Sequence, residues 1–229
     1  TGVQTCALPI YIFVLPGGFT YGDDIAAGKV LANQLRQQIL DELTRFIDDG
    51  KLIIGICNGF QVLMKMGLLP EVKGTQTSSS GNKQRFTLTY NDSNKFEDRW
   101  VYLKSASNKS VFVDNDSFMY VPIAHAEGKF VAEDSEDIEK LDKSGQIVFK
   151  YVDKDGSMAD YPWNPNGSSG SIAGVCDSTG RVLGMMPHPE RHIDPTQHPR
   201  WTREGLKAEG DGIAIFRNAV NYINRTFSS

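Results

Sequence analysis

Cysteine is scarce in this chain: Cys6, Cys57 and Cys176 are the only three in 229 residues, and they lie far apart. An odd, scattered set supplies neither a disulfide framework nor the paired ligands of a zinc site, and it fits a reducing, cytoplasmic setting. Long apolar runs are missing too. None approaches the roughly 18 residues a membrane span needs, and nothing reads as a signal peptide. Basic residues are not in excess: the formal charge is −4, which argues against a general nucleic-acid binder. No Gly-x-x-x-x-Gly-Lys-Ser/Thr run or dinucleotide fingerprint occurs, so no ATP site is legible. No histidine or cysteine pair has ligand spacing beside a carboxylate, so no metal is expected.

What is present is the composition of an ordinary globular protein, 40% hydrophobic and 23% charged, at a length that fits one sizeable core. The chain turns on Lys51-Leu52-Ile53-Ile54-Gly55-Ile56-Cys57-Asn58-Gly59-Phe60-Gln61. An isoleucine-rich run stops at a cysteine with glycine two positions to either side, and helical spacing (Phe60, Leu63, Met64) takes over at once. This pattern predicts a strand, a tight turn and a helix with a thiol at the corner. The helix start beside the sulfur is expected to favour thiolate. A lone cysteine is more often a core residue; the two glycines at a strand-to-helix corner favour a nucleophile here.

Upstream, Thr1–Pro9 has no periodicity and is expected to be a non-native or unassigned stub, Cys6 included, leaving residues 10–229 as one domain. Ile10–Leu15 reads as a strand buried on both faces of a parallel sheet. Pro16-Gly17-Gly18-Phe19-Thr20-Tyr21-Gly22-Asp23-Asp24 follows, a loop whose adjacent glycines can bend closely around a ligand or simply make a turn. Helical spacing is expected from Ile25 to Phe46, closed by Gly50. A right-handed crossover then brings the Gly-Gly loop and Cys57 to one crevice.

Downstream, the polar Lys73–Gln84 stretch reads as a loop, mobile or merely solvated. Arg85–Tyr90 and parts of Trp100–Lys104 alternate as antiparallel or edge strands, and Phe118–Ala124 is a short apolar strand ending at His125-Ala126-Glu127-Gly128. Glu133–Lys143 predicts a short exposed helix, and Ile172–Cys176 with Val182–Met186 two strands, with Cys176 in the core. In the last helix, Gly212–Ile223, the residues Ile213, Phe216, Val220 and Ile223 are expected to pack. The second decisive stretch is Pro187-His188-Pro189-Glu190, where two prolines present a histidine rigidly beyond a strand end. A cysteine nucleophile needs a base, and the base a carboxylate to orient it; Cys57, His188 and Glu190 supply the three roles. His192 and His198 remain as structural or interface residues.

Gly55–Gln61 with Pro187–Glu190 resembles class I, triad-type glutamine amidotransferases. Pro16–Asp24, Ala124–Gly128, Asn164-Pro165-Asn166-Gly167-Ser168 and Met185–Arg191 are similar to one family among them, the glutaminase subunits of phosphoribosylformylglycinamidine synthases, from Ile10 to about Phe227. The resemblance implies an α/β, flavodoxin-like fold, an open, mostly parallel sheet with flanking helices. It implies a glutamyl thioester on Cys57, an oxyanion held by backbone N–H groups of Asn58 and of Gly17-Gly18, and glutamine bound with help from Gln61 and the backbone around His125. Ammonia would pass to a synthetase subunit that carries ATP and Mg, with a small bridging subunit as a further possible partner; no cofactor is expected in this chain. Relatives begin with one more strand and helix before Ile10, which are expected to be missing here, and Ala126 stands where many have glycine. Asp194–Arg203 is expected at the partner interface. The alternatives left open are a stand-alone Cys-His-Glu hydrolase or peptidase and an inactive truncated binding module.

Overall fold

A computed structural model describes residues 9–70 and 84–227. The Thr1–Pro9 stub, except Pro9, and the polar stretch up to residue 83 lie outside the described residues. The first unit is strand β1 (Ile12–Leu15), helix α1 (Lys29–Asp48) and strand β2 (Leu52–Ile56), with β1 and β2 parallel in the register Ile12 to Leu52 through Leu15 to Gly55. Every side chain of β2 is buried, as its unbroken apolar run requires. β1 departs from the expectation of burial on both faces. It is the edge of the described sheet, so Ile12 and Phe13 are half-buried and Val14 is exposed.

α1 begins four residues later than the expected start at Ile25. Ile25 and Gly28 both hold left-handed backbone, φ 72° and 71°, which a continuing helix cannot contain, so the regular turn starts at Lys29. α2 (Asn58–Met66) follows Cys57 directly; all its residues except Lys65 are buried, and Gly67 closes it with φ 82°.

The remaining strands are β3 (Phe86–Thr89), β4 (Glu97–Ser105), β5 (Phe118–His125), β6 (Lys129–Ala132), β7 (Ile147–Val152), β8 (Ile172–Cys176) and β9 (Val182–Met185), with α3 (Ser135–Lys143) between β6 and β7. The main sheet has seven strands in the order β1-β2-β9-β8-β7-β4-β5, and β3 pairs with β6 in a separate small antiparallel sheet. The α/β architecture with flanking helices is the expected one, but the main sheet is mixed rather than mostly parallel. Parallel pairing is confined to β1/β2 and β2/β9, while β9/β8, β8/β7, β7/β4 and β4/β5 are antiparallel. Connection length explains the difference: a crossover helix joins β1 to β2, whereas a tight Asp177–Gly180 turn returns β8 to β9 as a hairpin. The parallel part carries the site, because β1, β2 and β9 all end on the same side.

The chain after β9 runs through two short helical turns (Pro189–Arg191, Pro195–Gln197), α4 (Trp201–Glu204) and α5 (Ile213–Phe227). This segment covers the outer edge of β5. The Tyr120 N–H donates to Asp211 Oδ2 at 2.9 Å, and the Tyr120 carbonyl accepts from His192 Nδ1 at 2.7 Å. In α5, Ile215 and Ala219 are buried and Phe216 and Ile223 pack partly, while Val220 faces out at 50% exposure. Among the described residues no helix is long and apolar enough to cross a membrane.

Candidate active site

Cys57 sits where β2 becomes α2, with φ 51° and ψ −106°, a backbone conformation that costs energy for any residue with a Cβ. Its N–H is pinned to the Met185 carbonyl of β9 at 2.8 Å, so the corner is fixed by the neighbouring strand. Glycine at 59 is required by contact. A Cβ there would lie 1.9 Å from the Leu15 carbonyl oxygen, so α2 can start against the end of β1 only without one.

The expected thiolate is not the resting state. Burial pushes the Cys57 thiol up to about 12, and the Asn58 N–H at the sulfur and the Arg191 charge pull the other way without prevailing. The Sγ instead hydrogen-bonds the Ala124 carbonyl at 3.6 Å. A buried, protonated thiol needs a base beside it.

The base is in place. The His188 N–H bonds to the Pro122 carbonyl at 2.8 Å, and Nδ1 lies 2.6 Å from Glu190 Oε1. A carboxylate there accepts, so the ring proton sits on Nδ1 and Nε2 carries the lone pair. That Nε2 is buried and has no hydrogen-bond partner among the described residues. Gly17 brings the pieces together: a Cβ on it would lie 2.6 Å from His188 Cε1 and 3.5 Å from Cys57 Cβ. The Gly-Gly loop, the thiol and the imidazole therefore meet at one point, across 131 positions of sequence between Cys57 and His188.

A cavity opens beside Cys57, lined by Gly18, Phe19, Asp23, Ala27, Gln61, Ala124, His125, Ala126 and Glu127. Gly18, at φ 147°, has nothing near its Cα face and borders this space. The Asn58 side chain fastens the Gly-Gly loop to the elbow: its Oδ1 accepts from the Thr20 hydroxyl at 2.7 Å, and its Nδ2 donates to Asp23 Oδ1 at 3.2 Å and Gln61 Oε1 at 3.0 Å. Gln61 lines the cavity, but both ends of its amide are engaged, Oε1 by Asn58 and Nε2 by the Glu127 carbonyl. Those two bonds tie α2 to the far wall of the cavity.

His125 brings more than its backbone. Asn91 Nδ2 donates to the carbonyls of Lys95 and His125, both at 2.9 Å, which fixes Oδ1 as the acceptor for the Gly128 N–H and for His125 Nδ1, each at 3.1 Å. His125 Nε2 is then a bare acceptor, buried and unpartnered among the described residues. Burial and the neighbouring His188 push the His125 imidazole down to about 3, so it stays neutral. On the other side Asn166, fully buried, donates from Nδ2 to the Gly128 carbonyl at 2.8 Å. Nothing in the sequence marked Asn91, and Asn164–Ser168 stood out only by its resemblance to the family; Asn91 and Asn166 are clamps on the Ala124–Gly128 wall. His192 and His198 stay outside the site, His192 edge-on to Trp100 and His198 in tilted contact with Trp100 and Tyr120. No group of three His, Cys, Asp or Glu with metal-binding geometry occurs among the described residues.

Comparison with known proteins agrees with this geometry. The model of the CobB/CobQ-like glutamine amidotransferase domain matches residues 6–223. The phosphoribosylformylglycinamidine synthase subunit PurQ of Dehalococcoides mccartyi is 46% identical over 92% of this chain and 79% of its own length. The subunit of the same name from Methanococcus maripaludis is 41% identical over 93% of this chain and 81% of its own. A chain in the structure of PurLQS from Thermotoga maritima superposes with a TM-score of 0.67 at 33% identity, covering 93% of this chain and 80% of that one. With its elbow cysteine, histidine and glutamate assembled at the ends of β2 and β9, the chain belongs to the CobB/CobQ-like glutamine amidotransferases, among the PurQ subunits of phosphoribosylformylglycinamidine synthase.

Proposed function

We propose that this chain is the glutaminase of a phosphoribosylformylglycinamidine synthase, releasing ammonia from glutamine for a synthetase subunit. The observation that carries the reading is the meeting of Cys57, Gly17 and His188 at one point, with His188 held by Glu190. His188 Nε2 takes the thiol proton as the sulfur attacks the carboxamide carbon of glutamine. The oxyanion that forms lies against the N–H groups of Asn58 and the Gly17-Gly18 turn, donors worth about 2.7 to 4 kcal/mol each in such sites. The imidazolium returns its proton to the leaving nitrogen, ammonia departs, and a γ-glutamyl thioester remains on Cys57. Water, deprotonated by the same Nε2, cleaves the thioester to glutamate and restores the thiol. Glu190 stabilises the imidazolium in both halves of the cycle.

The synthetase subunit, with ATP and Mg, converts formylglycinamide ribonucleotide to formylglycinamidine ribonucleotide with this ammonia, in de novo purine biosynthesis. A small bridging subunit belongs to the same assembly, and the setting is cytoplasmic. The name PurLQS of the Thermotoga maritima relative supports an assembly of this kind. The test is reconstitution with the synthetase partner. Cys57→Ala is expected to abolish amidine formation from glutamine while formation from added ammonium salt persists. Loss of both, or retention of the glutamine-driven reaction, would overturn the reading.

A further inference from the structure

β5 is the outermost strand of the main sheet, and its outer edge serves the site. Alternate carbonyls along that edge each accept a hydrogen bond. Ala124 accepts from Cys57 Sγ at 3.6 Å, Pro122 from the His188 N–H at 2.8 Å, and Tyr120 from His192 Nδ1 at 2.7 Å. A carbonyl only accepts, and the Asp211 N–H lies farther from the same nitrogen at 3.4 Å, so the His192 ring proton sits on Nδ1 and points at Tyr120. The nucleophile, the backbone of the base and the His192 ring thus stand in line on one strand.

His192 bears directly on Glu190. The turn Pro189–Arg191 is fastened to β5 at both ends, by the His188 N–H before it and the His192 ring after it. Glu190 hangs on the span between these anchors. Its Oε1 reaches His188 Nδ1, its Oε2 is buried without a hydrogen-bond partner, and Arg191 Nε stays 3.9 Å from Oε1. Among the described residues no side chain from outside the turn hydrogen-bonds the carboxylate, so the anchors of the turn decide where it lies. His192 itself is fully buried and gripped: its carbonyl accepts from the Gly212 N–H at 2.8 Å, and a Cβ on Gly210 would lie 2.3 Å from that oxygen.

We infer that His192 is a positioning residue for the catalytic pair. Through the Tyr120 carbonyl it fixes the far end of the Pro189–Arg191 turn and so holds Glu190 within reach of His188 Nδ1, while touching no reacting atom itself. The inference rests on the glutaminase reading of the site, in which Glu190 orients the base. What the His192 ring offers beyond the bulk of an apolar side chain is one donor aimed at an edge carbonyl.

The test replaces His192 in the full chain, reconstituted with the synthetase partner, and reads glutaminase kinetics. His192→Asn sets an amide nitrogen where Nδ1 stands, His192→Gln carries that nitrogen too far out, and His192→Leu removes it. The leucine and glutamine variants are expected to lose about 10- to 100-fold in turnover with the half-saturating glutamine concentration nearly unchanged, the cost of a slightly misplaced catalytic group. The asparagine variant is expected to stay close to wild type. The leucine replacement is then repeated in a Glu190→Ala chain, with glutamine used in both chains if the leucine variant does not fold. A residue that acts through Glu190 has nothing left to position there, so no further loss is expected. An equal loss in both backgrounds, or an asparagine variant as slow as the other two, would overturn the inference. Absence of glutamine hydrolysis by the wild-type assembly, with ammonium-driven amidine formation intact, would instead overturn the glutaminase reading beneath it.

Discussion

His188 Nδ1 lies 2.6 Å from Glu190 Oε1, although only Pro189 separates the two residues in sequence. The proline turns the chain so that a carboxylate two positions on reaches back to the ring. This contact holds the proton on Nδ1 and leaves Nε2 as the base. Glu190→Ala is therefore expected to lower the maximal glutaminase rate by about 100- to 10,000-fold, the range of positioned acid–base groups, with little change in the half-saturating glutamine concentration. Steady-state kinetics on the reconstituted enzyme measure both; a change confined to half-saturation would contradict the assignment.

Gly59 and Gly17 separate folding from catalysis. A Cβ at 59 meets the Leu15 backbone at 1.9 Å, and backbone there cannot give way without moving β1. Gly59→Ala is expected to cost about 3 kcal/mol of stability or more, by denaturant unfolding. A Cβ at 17 meets an imidazole edge at 2.6 Å and displaces the base. Gly17→Ala is expected to leave the unfolding midpoint nearly in place and to lower the turnover rate at least tenfold.

His125 ties stability to pH. Burial holds its folded imidazole down to about 3, against 6.5 for a free imidazole, so the unfolded chain binds more protons between those limits. Stability is then undiminished above about pH 6.5 and falls as pH drops towards 3, by at most about 1.4 kcal/mol per pH unit from this group. Replacing His125 with asparagine is expected to flatten that part of the unfolding free energy against pH. An unaltered profile would show that the buried imidazole is not neutral.

The Asn91 side chain makes four bonds, two as donor and two as acceptor; three reach the wall that carries His125 and Glu127, and the fourth goes to the Lys95 carbonyl. Asn91→Leu strands those groups in the interior and is expected to cost about 2 to 3 kcal/mol. The half-saturating glutamine concentration is expected to rise more than turnover falls, because the wall forms the cavity rather than the base. Denaturant unfolding and initial-rate kinetics on the same preparation check both.

The elbow was legible because its chemistry is local: an apolar strand, two glycines and helical spacing occupy eleven consecutive residues, and the fold places them as read. His188 and Glu190 were legible for the same reason, with prolines fixing the direction of the chain. The ionisation of Cys57 was not legible. Helix start and burial act on it in opposite senses, and only the packing of Ala124 and Met185 around the corner shows that burial prevails. Asn91 and Asn166 were invisible as clamps because their partners at 125 and 128 lie more than 30 residues away. Antiparallel or edge strands were legible in the middle of the chain, but how little of the main sheet is parallel was not, since short buried strands do not show in sequence which neighbour they pair with.

The central claim is that the Cys57 sulfur becomes covalently joined to the glutamyl group. Acid-quenching the reconstituted enzyme during turnover of radiolabelled L-glutamine, then mapping the label by peptide, tests it most directly. The label is expected on the Cys57 peptide, sensitive to hydroxylamine and absent from Cys57→Ala. Glutamate production at full rate with no label on that peptide, or with label persisting in the alanine variant, would contradict it.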